Sequence, residues 1–376
     1  MAVTSVINEH GQRVPVPWNW HDILPDWFDG KQIIPTAHVH NFKSPDPPQL
    51  WIERIGGGYG DVIHLLSAIE DKIFEFKEQY GPQSRIILSF PSVHHFMLEQ
   101  LKQYGVEVVS SENLDEHFGK TFNFLTHAIV NSREHINLLC PCDDHEVGTK
   151  FKPFKSRVEI FHEACEVNRP VRPPILRFKE RGENPFPKKQ KVVCICLRSI
   201  DRFKDWHFDG WLEVIKVLQK KGYFVYTSDL EFSFEGVPAI VKKSMPEVTR
   251  YLAWTDAIIG PDTGPIFLAA SQGVTTIGLF GKTSGYLLLE KHYINGHAVQ
   301  VIRPDLCKRP CYHSKEHRGF YCDQYGFSGA ATGCMNDITV EMVVSMFEGL
   351  EKYGQIGNTR WDKEEFQKYV PDYYRF

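Results

Sequence analysis

The chain has 376 residues, a net charge of −4 at pH 7 and nine cysteines. Hydrophobic residues make up 42% and aromatic residues 13%, which excludes a disordered chain, and the length exceeds one ordinary core and predicts two domains. The sequence has no apolar run near the roughly 20 residues of a membrane span and no N-terminal signal pattern. We therefore expect a cytoplasmic protein with free or metal-bound thiols and without global attraction for nucleic acid.

Residues 1–48 are predicted to form an irregular extension. Prolines that prevent long helices recur in this segment, namely Pro15, Pro17, Pro25, Pro35, Pro45, Pro47 and Pro48. The sequence assigns no function to the extension.

A first Rossmann-like domain is predicted over residues 49–172. It opens with a strand at 50–55, a glycine-rich loop at 56–61, a helix from about 62 to 80 and a strand at 85–90. Strand, loop, helix and strand in this order are typical of a doubly wound α/β sheet.

The glycine-rich loop delivers a carboxylate, Asp61, to the start of the helix. Gly56 and Gly58 have the spacing of a dinucleotide fingerprint, but Asp61 occupies the third glycine position. The end of the second strand, where an NAD site has an acidic residue, carries Ser89, Phe90 and Pro91 instead. Hydride chemistry is therefore disfavoured. Because a glycine turn lets a ligand approach the backbone closely, Asp61 is a candidate general base, and a helix cap is its structural alternative.

A basic connector follows the first domain. From Lys150 to Lys191 there are twelve Lys or Arg residues against five Asp or Glu, with six interrupting prolines. We predict a basic Pro-rich linker at 173–190. Its charge has two equally supported interpretations, a solvated linker or a rim that attracts an anionic substrate.

A second Rossmann-like domain is predicted over residues 191–340, and the segment 341–376 is predicted to form helices that pack back across both halves. The periodicity and length of the apolar runs predict its elements. They are, in chain order, a strand at 191–198, a helix at 210–221, a strand at 223–228, a strand that ends at 257–259, a helix that starts at about Pro265 and a strand at 275–280.

Two cations, Arg198 and Lys204, follow the first strand of the second domain. The carboxyl end of a parallel strand is where doubly wound sheets bind their ligands. Since Arg suits bidentate contact and Lys acts as a point charge, the pair is a candidate for neutralising a leaving diphosphate. Isolated surface charges are the alternative.

The segment Gly260 to Gly273 is predicted to hold phosphate. An apolar strand precedes it, and Pro265 suits the first turn of a helix, whose N-terminus offers backbone N–H groups and about half a positive charge. A diphosphate is therefore expected at Thr263 and Gly264, with Asp262 facing the group attached to it. A simple helix start capped by Asp262 or Thr263 is the alternative.

Four cysteines form a separate constellation, spaced by three, ten and eleven residues: Cys307, Cys311, Cys322 and Cys334. Four thiolates suit tetrahedral Zn²⁺ or a single iron, and a structural ion of this kind would pin a long loop. Four unconnected thiols are the alternative, because the spacing is looser than that of paired zinc-finger cysteines.

Together these motifs resemble glycosyltransferase family 9, the ADP-heptose lipopolysaccharide heptosyltransferases, over roughly residues 50–345. Gly60-Asp61-Val62 matches the family's first-domain loop, and Asp262-Thr263-Gly264-Pro265 with the alanine-rich helix behind it matches the donor motif. The basic segment before Trp206 and the pair Cys334-Met335 also fit the family. The four-cysteine segment is similar to that of the autotransporter heptosyltransferases, in which the ion is iron and structural.

The resemblance implies an inverting glycosyltransferase of GT-B architecture, with an acceptor domain and a nucleotide-sugar domain facing across a cleft and no catalytic metal. ADP-heptose is the expected donor, and a saccharide or lipopolysaccharide core is the expected acceptor. Asp61 is then the general base, while Arg198 and Lys204 stabilise the departing diphosphate. The expected donor-binding residues are Asp262, Thr263, Gly264, Pro265, Gly58 and Gly60.

Two departures leave the donor and the acceptor open. Phe267 stands where family members usually have His, and a 48-residue extension precedes the usual start. A protein hydroxyl and a hydroxymethylated DNA base are alternative acceptors, the latter because the connector offers cations for phosphates. A nucleotide-sugar epimerase, which needs no acceptor, and a non-catalytic nucleotide-binding module, which binds donor without turnover, are the competing classes.

Overall fold

The computed structural model divides the chain into two compact units. The first comprises Met1–Thr149 and Arg157–Arg172, and the second Lys150–Ser156 and Pro173–Phe376. The residues that the structure describes are 5–7, 13–15, 38–40, 47–54, 57–111, 133–138, 141–142, 145, 154–177, 182–200, 204–228, 234–240, 244–281, 283–301 and 333–357.

The first unit carries short strands even within residues 1–48, which were predicted to be irregular. Its described strands are β1 (Ser5–Ile7), β2 (Arg13–Pro15), β3 (His38–His40), β4 (Gln49–Glu53), β5 (Arg85–Phe90), β6 (Val106–Ser110) and β7 (Glu134–Asn137). Its described helices are α1 (Tyr59–Tyr80), α2 (His95–Leu98) and α3 (Arg157–Ala164), with 3₁₀ turns at Ser92–His94 and Glu99–Tyr104.

The main sheet of the first unit has the strand order β3-β7-β4-β5-β6. All neighbours pair in parallel except β3, which pairs antiparallel with β7. The five residues of β4 are all buried, as expected of a central strand covered on both faces. Since β5 follows on one side of β4 and β7 lies on the other, the carboxyl ends of β4 and β7 form the switch point at which such sheets bind ligands.

The described strands of the second unit are β8 (Val192–Ile195), β9 (Phe224–Thr227), β10 (Ala257–Pro261), β11 (Thr275–Phe280) and β12 (Gly296–Gln300). They form a sheet that is parallel throughout, with the order β12-β11-β10-β8-β9. Its described helices are α4 (Phe208–Lys220), α5 (Met245–Leu252), α6 (Gly264–Ser271), a π-helix (Tyr286–Glu290), α7 (Gly333–Asn336) and α8 (Val340–Lys352).

The core of the second unit joins α4 and α8 to the sheet. Trp211 of α4 and Phe347 of α8 belong to one buried cluster with Ile259 of β10 and Ile277 of β11. The chain runs from β8 to β9 on one side and resumes with β10 on the other, so the switch point of this sheet lies between β8 and β10. The second predicted C-terminal helix, near 363–369, lies outside the described residues.

None of the helices in the described ranges has the length and apolar character needed to cross a bilayer.

A buried ionic cluster joins Arg172 to α1, and its loss is expected to lower the stability of the first unit. Arg172 donates from Nε to both Asp71 oxygens at 3.1 Å and from Nη2 to Glu70 at 2.7 Å, and none of the three side chains is more than 7% exposed. We expect Arg172→Ala to lower the free energy of unfolding by about 3–5 kcal/mol, because two buried carboxylates lose their cation. Urea denaturation followed by tryptophan fluorescence measures this loss.

The matched control is Arg85→Ala, which removes an ion pair to Glu107 on the same unit. These two side chains are 54% and 45% exposed, so the loss is expected to stay below about 1 kcal/mol. Equal losses for the two variants would contradict the prediction.

Candidate active site

The first unit places Asp61 in the first turn of α1, close to the end of β4. Gly58 is the N-cap in extended conformation, and its N–H donates to the Asp61 Oδ2 at 3.1 Å. Asp61 therefore caps its helix from the third helical position, whereas the structural alternative predicted it as the N-cap, which is Gly58. Gly57 has a φ of 111°, and a Cβ there would lie 2.4 Å from the Arg54 guanidinium, so the loop requires glycine at this position.

Two arginines converge on the Asp61 carboxylate. Arg157, the first residue of α3, donates from Nη1 to Oδ1, and the Arg54 Nη2 lies 3.6 Å from Oδ2. Burial by itself would raise the pKa of Asp61, but Arg157, Arg54, the Gly58 N–H and His64 together hold that pKa well below its usual range. The carboxylate, 21% exposed, is therefore ionised at neutral pH.

Sequence reasoning missed Arg54 and Arg157. Arg54 follows the carboxyl end of β4, which is the signal that singled out Arg198, and it is only 5% exposed. Its guanidinium lies 5.3 Å from the centre of the Phe161 ring. Arg157 was counted with the basic connector, and no local pattern relates it to a carboxylate 96 positions earlier.

The second unit brings Lys204 and Asp262 together at the switch point between β8 and β10. The Lys204 Nζ lies 2.9 Å from the Asp262 Oδ2, with side chains 17% and 7% exposed. The Thr283 hydroxyl donates to the same oxygen at 2.9 Å, and the Ser199 hydroxyl donates to the Asp262 carbonyl at 3.2 Å. The sequence singled out neither Thr283 nor Ser199.

The start of α6 is arranged differently from a simple capped helix. Thr263 is the N-cap, with φ −153° and ψ 161°, yet its side chain makes no capping hydrogen bond, and Pro265 lies in the first turn. The Asp262 carboxylate is engaged by Lys204 and Thr283 instead. The positive end of the helix dipole at Gly264 is thus not covered by a side-chain cap, an arrangement that suits an anion.

The loop that carries Lys204 is anchored at both ends. Arg198 follows β8 and is partly exposed. Asp205, 5% exposed, accepts the Ser199 N–H at 2.7 Å, and the buried Trp206 donates from Nε1 to the Ile338 carbonyl at 2.9 Å. These contacts hold the segment that begins at Lys204 beside the carboxyl end of β8.

Phe267, which departs from the family pattern, is a core residue. It is 3% exposed, and its ring centre lies 6.2 Å from that of Tyr293. Its proposed influence on the donor stays a prediction.

The predicted donor-binding residues divide between the units. Asp262 through Pro265 lie with Lys204 in the second unit, whereas Gly58 and Gly60 lie with Asp61 in the first.

Of the four predicted metal ligands, only Cys334 belongs to the described residues. It is 6% exposed and lies so close to Gly281 that a Cβ there would be 2.8 Å from its sulfur. Cys307, Cys311 and Cys322 lie outside the described residues. Within the described part of the chain, no group of three or more His, Cys, Asp or Glu side chains is placed to hold a metal ion.

Several solved structures share this fold. The iron-containing dodecameric glycosyltransferase TibC from enterotoxigenic E. coli H10407 is 16% identical, with a TM-score of 0.59 over 86% of this chain and 79% of its own; TibC has also been solved in complex with ADP-D-β-D-heptose. E. coli ADP-heptose LPS heptosyltransferase II is 13% identical, with a TM-score of 0.57 over 81% of this chain and 99% of its own. A family 9 glycosyltransferase from Veillonella parvula DSM 2008 is 14% identical, with a TM-score of 0.56 over 83% of this chain and 99% of its own. No curated protein matches the sequence significantly.

At these identities the solved structures establish the fold. The two α/β sheets, each with a charged cluster at its switch point, match the GT-B architecture of these solved glycosyltransferases. Residues 155–316 match glycosyltransferase family 9 (heptosyltransferase). The resemblance inferred from the sequence motifs is therefore confirmed.

Proposed function

We propose that the protein is an inverting transferase that moves heptose from ADP-heptose to an acceptor hydroxyl. The observation that carries the proposal is the Lys204–Asp262–Thr283 cluster beside the N-terminus of α6, which lies within the family 9 match. The assignment of ADP-heptose as donor is supported by two structural relatives, TibC, solved in complex with ADP-D-β-D-heptose, and the ADP-heptose LPS heptosyltransferase II.

The second unit supplies the groups that a leaving diphosphate needs. When the diphosphate arrives, Lys204 exchanges the Asp262 carboxylate for a phosphate oxygen, and Arg198 provides a second cation. Negative charge grows on the β-phosphate oxygen as its bond to the anomeric carbon breaks, and cations already in place stabilise that charge without reorganisation. Asp262, with Thr283 still bound, is then available to accept hydrogen bonds from the sugar.

The first unit supplies the base. Asp61 takes the proton of the acceptor hydroxyl as that oxygen bonds to the anomeric carbon, so that the configuration is inverted. A carboxylate of low pKa is a weak base for an unreacted alcohol. We therefore infer that the proton moves late, after bond formation has made the hydroxyl acidic.

The donor assignment is tested by thermal shift with ADP-heptose, ADP-glucose, UDP-glucose and ADP. A ligand at about 100 times its Kd adds about 2.7 kcal/mol to the stability of the form that binds it. We expect ADP-heptose to raise the melting temperature most, and equal shifts with all four compounds would contradict the assignment. Mass spectrometry then shows whether a heptose unit is added to a saccharide core, a protein or hydroxymethylated DNA.

We propose in addition that Cys307, Cys311, Cys322 and Cys334 hold a structural Zn or Fe ion. The description of TibC as iron-containing supports iron. The transfer proposed above uses no chemistry of this ion.

A further inference from the structure

Polar contacts fasten Arg157–Arg172, which we call the strap, along α1. The contacts begin in the first turn of α1 and continue to its second half. They join Arg157 to Asp61, His162 to Ser67 at 3.4 Å, Arg172 to Glu70 and Asp71, and the backbone N–H groups of Asn168 and Arg169 to Glu75 at 2.9 and 3.0 Å. The strap is therefore held in register with α1.

The strap also contacts Arg54, the second arginine beside Asp61. Phe161, fully buried on α3, lies beneath the Arg54 guanidinium. The other side of Arg54 is fixed because its Nη1 donates to the carbonyl of Leu138, just after β7. The strap thus carries Arg157 and supports Arg54.

Both carboxylate oxygens of Asp61 are engaged. Oδ1 accepts from Arg157, while Oδ2 accepts the Gly58 N–H and lies near Arg54. A carboxylate offers about four lone-pair sites, so these contacts leave few directions for a further hydrogen bond. An acceptor hydroxyl therefore meets a carboxylate that is already oriented.

We propose that Arg157 is a positioning residue for sugar transfer, which together with Arg54 fixes the direction in which the Asp61 carboxylate points. This inference rests on the proposed role of Asp61 as base. A purely structural Arg157 would only help α3 to dock on α1, so a measurement that reports on the carboxylate itself separates the two roles.

The pH dependence of transfer provides that measurement. The charged and polar groups that act on Asp61 are Arg157 from α3, Arg54 from the end of β4, the Gly58 N–H and His64 from α1 itself. Together they lower the pKa of Asp61, so wild-type transfer is expected to show no acid limb down to the pH of acid unfolding. Without Arg157 the pKa of Asp61 rises toward the ordinary aspartate range, because the largest contribution that lowers it is lost.

The decisive variant is Arg157→Gln. We expect kcat to fall about tenfold or more with the KM for the donor nearly unchanged, and an acid limb to emerge above the unfolding pH. Arg157→Lys restores the positive charge, so it should recover part of kcat and shift the acid limb of the pH profile back toward lower pH. The matched control is Arg169→Gln on the same strap, which removes a pair to the 64% exposed Glu78 and should leave the profile unchanged.

Carbon-13 NMR titration of the Asp61 carboxyl, assigned with Asp61→Asn, distinguishes the modes of failure. An unchanged Asp61 pKa in Arg157→Gln overturns the positioning role. A raised pKa without an acid limb in the rate overturns Asp61 as base, and with it the catalytic part of this proposal. Circular dichroism establishes that both Arg157 variants are folded before either result is used.

Discussion

Asp61→Asn is expected to abolish sugar transfer while leaving donor binding nearly unchanged. The amide keeps the shape of the side chain but does not accept a proton, and loss of a general base costs about 10²–10⁴-fold in rate. The groups proposed to bind the diphosphate, Lys204 and Thr263 to Gly264, by contrast, belong to the second unit and are untouched. The rate of ADP release with a confirmed acceptor and the thermal shift with ADP-heptose measure the two expectations separately.

Asp61 also caps α1, so the control must neutralise a capping carboxylate that lies outside the site. Glu247 occupies the same position in the capping box of α5, where it accepts the Ser244 N–H at 2.9 Å. Glu247→Gln should leave transfer within about twofold, because a cap contributes about 1 kcal/mol of stability and no chemistry. Near-normal turnover in Asp61→Asn would refute the assignment of Asp61 as the general base.

The sign of the stability change in Asp61→Asn follows from the lowered pKa. The ionised form is favoured in the folded state, so Asp61 stabilises the fold above its unfolded-state pKa, and that contribution is lost as the pH falls through its folded-state value. We therefore expect Asp61→Asn to be less stable than wild type at pH 7 and the difference to shrink in acid. A transfer assay at neutral pH must use a temperature well below the melting point of the variant.

Much of the fold follows from local sequence signals. The strands β5 and β11 were predicted with the bounds that the structure shows, because each is a short apolar run between turns. The helix α1 begins three residues earlier than predicted, at Tyr59 instead of about residue 62. A first turn that contains Gly60 lacks helix-forming side chains, so the pattern becomes visible only after it.

Individual residues of the candidate site could be predicted from the sequence, but the contacts between them could not. Asp61, Lys204 and Asp262 each follow a strand or begin a helix, which are local signals. The pair between Lys204 and Asp262 depends on the path of a loop held by Asp205 and Trp206, and sequence periodicity does not encode that path. The approach of Arg157 to Asp61 depends on packing between helices far apart in the chain, which no local pattern reports.

Lys204→Ala is expected to impair both stability and transfer, for separable reasons. It leaves the Asp262 carboxylate, 7% exposed, without its cation, and breaking a buried pair in this way costs about 3–5 kcal/mol. It also removes a cation from the leaving diphosphate, for which we expect about a 10²–10³-fold loss in kcat/KM. Urea denaturation and initial rates with ADP-heptose measure the two effects.

The double variant Lys204→Ala/Asp262→Asn separates the two causes. The neutral amide relieves the uncompensated charge, so most of the stability should return, whereas transfer should stay low because the diphosphate still lacks its cation. Recovery of transfer along with stability would mean that Lys204 serves only to neutralise Asp262. The control Lys221→Ala removes more exposed pairs to Glu348 and Glu351, and should change stability by less than about 1 kcal/mol and transfer not at all. Stability regained with transfer that stays well below that of Asp262→Asn alone would assign Lys204 to the chemistry of the leaving group.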